Sequence, residues 1–182
     1  MSSVGTPDPI PNPGWLSEEE LAEARSRLPL LYVEGVPVRV DGLGKVTEVG
    51  MLLRASPEGS ITRTLVSGRV MYGETIRDAL FRHLEKDLGP MAFPLLPSSP
   101  VPFSVAEYFP WPTSSQFMDA RQHAVSLAFV VPVTGTCDPR QDALEITWMK
   151  PREAASDEIS ADMEGGRGAL VRAALASVGV LA

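Results

Sequence analysis

A loop that turns repeatedly and then feeds a helix occupies Gly68 to Gly89, GRVMYGETIRDALFRHLEKDLG, and the rest of the chain is arranged around it. Gly68 and the pair Tyr72-Gly73 mark the turns. Ile76, Ala79, Leu80, Leu84 and Leu88 then recur at three- and four-residue spacing, which predicts a helix with one apolar stripe. Gly89-Pro90 ends it, because glycine accepts a left-handed cap and proline cannot continue the ladder. Arg82, His83, Lys86 and Asp87 stand on the other face, one turn apart. A loop feeding a helix with a charged face is a way to hold a divalent metal and a diphosphate.

At these residues the stretch resembles the Nudix box, G-x5-E-x7-R-E-U-x-E-E-x-G-U, with U a bulky aliphatic. Gly68 fills the first glycine, five residues separate it from Glu74, and seven more lead to Arg82. Leu84 takes the aliphatic place and Gly89 the last glycine. His83 stands where the family has a glutamate, Lys86-Asp87 where it has a glutamate pair, and Pro90 where it has the last aliphatic. The spacing is kept and most of the metal-binding carboxylates are replaced. The resemblance implies an α/β fold, a mixed sheet sandwiched by helices, over roughly residues 36 to 155. It also implies a small-molecule diphosphate or nucleotide as ligand and, if the chain is active, Mg2+ or Mn2+ as cofactor. Nudix domains often dimerise, so a homodimer is a further implication.

With 182 residues, 44% of them hydrophobic, the chain can bury a sizeable core, and one domain is expected. A formal charge of −7 without any run of Lys or Arg argues against a nucleic-acid-binding surface. Cys137 is alone, so neither a disulfide framework nor a cysteine zinc site forms within the chain. The N-terminus shows no basic region followed by an apolar run, and the longest apolar stretch, Ala124 to Val133, is strand-sized. A cytoplasmic protein with no membrane partner is expected.

Pro7, Pro9, Pro11 and Pro13 predict that residues 1 to 14 form an extended arm, either flexible or draped on a partner surface. Ser17 and Glu20 form a capping box for a helix to about Leu28, an addition to the Nudix core, with Leu16, Leu21, Ala24 and Leu28 on one face. Leu30 to Val40 reads as strands broken near Gly35-Val36-Pro37, and Asp41 to Gly44 as a hairpin. Lys45 to Leu53 and Ile61 to Val66 are further strands, with a turn at Ser56 to Gly59. Seven prolines between Pro90 and Pro112 predict an irregular loop, strand-like only from Phe103 to Phe109; it serves either specificity or a rigid crossover. His123 to Val133 reads as a central strand, and Leu144 to Met149 as another after a turn at Gly135 to Gln141. A short helix opens at Pro151, and Ile159 to Leu181 reads as a closing helix weakened by Gly165, Gly166 and Gly168.

Diphosphate hydrolysis needs neutralised phosphates and an activated water, and metal ions on clustered oxygen ligands supply both. Glu74 and Asp87 are the metal candidates, and Glu74, Arg82, His83 and Asp87 the catalytic set; Glu85 points to the opposite side of the helix. In the resemblance Arg82 is structural, with Glu74 a partner. His83 is either a metal ligand or proton acceptor, or an ordinary half-buried histidine. Lys86 repels a dication, so it either binds phosphate in place of a metal or points into solvent. Glu48, Glu107, Glu145 and Glu153 are candidate bases outside the box, and Tyr108, Phe109 and Trp111 either stack on a base or simply pack. Two functions stand side by side: a divergent metal-dependent hydrolase, and an inactive Nudix-fold protein that binds a nucleotide or a protein partner.

Overall fold

The computed structural model describes residues 14–55, 58–139 and 143–181. The expected proline-rich arm and parts of two expected turns, at 56–57 and 140–142, lie outside them. Among the described residues, nine strands form a mixed sheet whose main path runs β3 (Ile61–Thr64), β2 (Val46–Ala55), β1 (Leu30–Val40), β8 (Ala124–Gly135), β6 (Ser104–Phe109) and β7 (Phe117–Met118). Off this path β4 (Val66–Arg69) pairs with β1, β5 (Ala92–Pro94) with β8, and β9 (Ala143–Met149) with β2. β1 and β8 are parallel and in register from Leu30↔Ala124 to Val38↔Pro132.

Successive side chains of a strand point to opposite faces, so this sheet has two cores. Helix α2 (Ile76–Leu88) buries Ala79, Leu80, Leu84 and Leu88 against Val33, Phe129 and Val131 on one face. On the other, Val36, Val38 and Met51 meet Leu170, Val171, Ala174 and Leu175 of α5 (Gly168–Ser177). The α/β sandwich expected from the sequence is therefore present. Helix α1 (Glu18–Arg27) forms with its capping box but buries no residue, and Leu28 is exposed.

Three expectations are corrected. β1 is one unbroken strand through Pro37, because its far side changes partner there, from β4 over Tyr32–Gly35 to β2 from Val38 onward. The strand expected at Ile61 to Val66 is two, since the chain turns a corner at the fully buried Leu65 and passes from β2 to β1. The closing helix is interrupted. α3 (Pro151–Ala154) and α4 (Asp157–Asp162) precede a 3-10 turn in which Gly165 and Gly166 take φ of +64° and +87°. That detour sets Arg167 under the sheet. Among the described residues no helix is long and apolar enough to cross a membrane.

Candidate functional site

The box loop is held by one arginine. Arg82 Nε donates to Glu74 Oε1 at 2.7 Å, while its Nη2 donates to Glu74 Oε2 at 2.9 Å and to the Arg69 carbonyl at 3.0 Å. The Met71 amide adds a bond to Glu74 Oε2 at 3.0 Å. Hydrogen bonding from Arg82 holds the Glu74 carboxyl below its usual range against the opposing effect of burial. Both oxygens of Glu74 are thus spent on the loop itself.

His83 is buried, not displayed. Its Nε2 lies 3.0 Å from the Arg69 carbonyl, which only accepts, so Nε2 carries the proton and Nδ1 keeps a lone pair with no partner. Burial lowers its pKa to about 4, with the charges of Lys86 and Arg82 adding to the effect. It is a neutral ring at neutral pH. The unfolded chain therefore takes up a proton near pH 6.5, before the folded one. Stability fully present above pH 6.5 is expected to fall by about 1–3 kcal/mol as pH drops toward 4. Urea melts across that range test this: His83→Gln should flatten the slope, and parallel profiles for both proteins would refute it.

The ring also explains the first glycine of the box. A Cβ on Gly68 would sit 1.9 Å from His83 Cε1, so the imidazole fills the space a side chain would need. Gly68→Ala should cost about 1–3 kcal/mol, as overpacking does. The cost should shrink when His83→Ala is combined with it; equal losses in thermal melts of the two backgrounds would show that the ring is not responsible.

Lys86 Nζ lies 3.5 Å from Oδ1 of Asp87, whose side chain is 6% exposed and whose Oδ2 has no hydrogen-bond partner. Burial raises the Asp87 pKa, opposed by the charges of Lys86 and Arg54. These residues do not fit a divalent cation. A hard cation needs several oxygen ligands together. Here Glu74 is closed by an arginine, Asp87 faces an ammonium, and no group of three or more His, Cys, Asp or Glu able to hold a metal occurs among the described residues.

Lys86, His83 and Gly68 open into a cleft of about 600 Å³ on the α5 side of the sheet. Apart from Tyr108, its other walls are residues that sequence reasoning missed. Glu34, fully buried in the middle of β1, accepts from Arg167 Nε at 2.5 Å and from the Tyr108 hydroxyl at 2.8 Å. The Arg167 guanidinium lies 4.8 Å from the centre of the Tyr108 ring. Burial opposes its charge, yet Glu34 and Tyr108 hold its pKa above the usual value. Asp119 receives Arg121 through both oxygens and Gln122 at 3.0 Å, and Gln122 in turn accepts from Arg25 of α1 at 2.9 Å. Only one signal pointed to these groups: a glutamate inside an apolar strand. Glu48, Glu107, Glu145 and Glu153 do not line the cleft, nor do Phe109 and Trp111; Tyr108 does. Glu85 is exposed, as expected.

Residues 11–180 match the model of a family described as a domain of unknown function, DUF4916. A solved structure from Jonesia denitrificans, described as a possible asymmetric diadenosine tetraphosphate hydrolase, is 58% identical over 86% of this chain and 98% of its own, with a TM-score of 0.83. A NUDIX hydrolase from Nitrosomonas europaea is 12% identical over 82% of this chain and 89% of its own, at a TM-score of 0.59. The NUDIX domain of Shewanella oneidensis NrtR, solved with ADP ribose, is 13% identical over 90% and 99%, at 0.56. No curated protein matches. A family match over nearly the whole chain, and the overall structural likeness to NUDIX proteins, lead to one conclusion: the chain belongs to the DUF4916 family, built on the Nudix fold.

Proposed function

We propose that this protein binds a small-molecule diphosphate or nucleotide in the cleft beside α2 and does not hydrolyse it through the box. The observation that carries this reading is the Lys86–Asp87 ion pair, which sets an ammonium against the one acidic side chain at a family metal position. An ammonium and a dication repel, and Glu74 is already bound at both oxygens. The cleft itself suits an anion: Arg54, Arg69, Lys86, Arg121 and Arg167 line it against Glu34, Asp119 and Glu164. Hydrolase relatives and an ADP-ribose-binding domain on the same fold support a nucleotide-sized ligand.

Hydrolysis is the second reading, favoured by the 58% identical Jonesia protein and by the three carboxylates in the cleft. Two of those carboxylates are already occupied by arginines at 2.5 and 2.9 Å. Incubation with diadenosine tetraphosphate and with ADP-ribose, in magnesium and in manganese, decides between the readings. We expect binding by calorimetry and no turnover. Turnover that Asp87→Ala abolishes would overturn the proposal.

A further inference from the structure

The cleft holds positive charge that is only loosely paired. Lys86 reaches its single acidic partner at 3.5 Å, longer than a good charge-assisted hydrogen bond. Arg54 stands 3.9 Å from Glu164, and its Nε is buried with no hydrogen-bond partner. Arg69 donates through Nη2 to the Gly14 carbonyl at 2.7 Å, and among the described residues no carboxylate forms an ion pair with it. The Ser126 hydroxyl, on a residue 1% exposed in the same cleft, has no partner either. Buried donors without acceptors are costly, and an acceptor-rich ligand satisfies them. Arg121 and Arg167 differ, because each already holds a buried or half-buried carboxylate.

We propose that the cleft binds its diphosphate without any divalent cation, with Lys86, Arg54 and Arg69 supplying the countercharge and the Ser126 hydroxyl a further hydrogen bond. The inference rests on the reading that the ligand carries a diphosphate. It adds that the protein has exchanged a recruited cation for built-in ones. Magnesium then works against binding, since the ion complexes the same phosphate oxygens that the side chains need.

The test is calorimetric titration of the full chain with inorganic pyrophosphate and with ADP, in excess chelator and again in excess magnesium. Binding in chelator is expected, equal or weaker in magnesium. Lys86→Ala and Arg54→Gln should each weaken it about 10–100-fold, the scale of a lost hydrogen bond to a charged group, and Lys86→Arg should restore part of the loss. Arg54 is partly exposed, so Arg54→Gln tests the site even where removing Lys86 unsettles Asp87. Binding seen only with magnesium would overturn the inference and leave the diphosphate reading standing. Absence of binding in both conditions would overturn both. Binding untouched by either variant would show that the diphosphate sits elsewhere.

Discussion

Arg167→Ala destabilises the fold by about 3–5 kcal/mol, the expected loss when one member of a buried ion pair is removed. Glu34 is 0% exposed and lies mid-strand, so its charge cannot be resolvated by a small movement. Without Arg167 the carboxylate keeps only the Tyr108 hydroxyl, a neutral donor whose pKa burial and the Glu34 charge push far above the usual value. Replacing such a pair by well-packed apolar groups is often neutral or stabilising, because two charges have lost their water. The double variant Glu34→Gln, Arg167→Ala should therefore lose clearly less than the sum of the two single losses. Urea denaturation of the four proteins measures this coupling. A loss below about 1 kcal/mol for Arg167→Ala would mean that water reaches Glu34 readily.

His83→Glu combined with Lys86→Glu is expected to create a divalent metal site on α2. Positions 83, 86 and 87 lie on one face of α2 at helical spacing, so the two changes add oxygen ligands beside Asp87 and remove the competing ammonium. Manganese should bind the double variant with a Kd of about 0.1–1 mM, the weak end for oxygen-ligand sites. Asp87→Ala added to it should abolish the binding. Calorimetry or the paramagnetic broadening of manganese reads either result. Equal binding by the wild type would mean that Lys86 swings aside and that the helix still holds a metal. The change at 83 also removes the ring packed on Gly68, so the variant will be less stable without losing the fold.

The sequence showed the box helix, its end at Gly89 and most strands directly, because hydrophobic period and turn chemistry are local properties. Pairing partners are not local. Pro37 within β1 looked like a break, and only the change from β4 to β2 along that edge explains why it is tolerated. The cleft divides the same way. Glu74, Arg82, His83, Lys86 and Asp87 were identified by spacing within a short stretch, and Arg82 was rightly paired with Glu74. Glu34, Asp119 and Arg167 come from three other regions and are brought together by sheet topology, which no single-sequence pattern encodes. What covers the charged face of α2 was not legible, since amphipathic spacing shows which residues share a face but not what lies over it: His83 and Asp87 are both buried.

The cleft is closed by residues that are remote along the chain, and this has a kinetic consequence. Glu34 and Arg167 are 133 positions apart, and β1 finds its parallel partner β8 only after most of the chain has been made. Contacts of such long range require large loops to close before any stabilisation is returned, so they form late in folding. A nascent or C-terminally shortened chain would carry the box helix without a finished ligand cleft, and would expose the α5 face of its sheet. The proposed binding would in this sense report that Glu34 and Arg167 have come together.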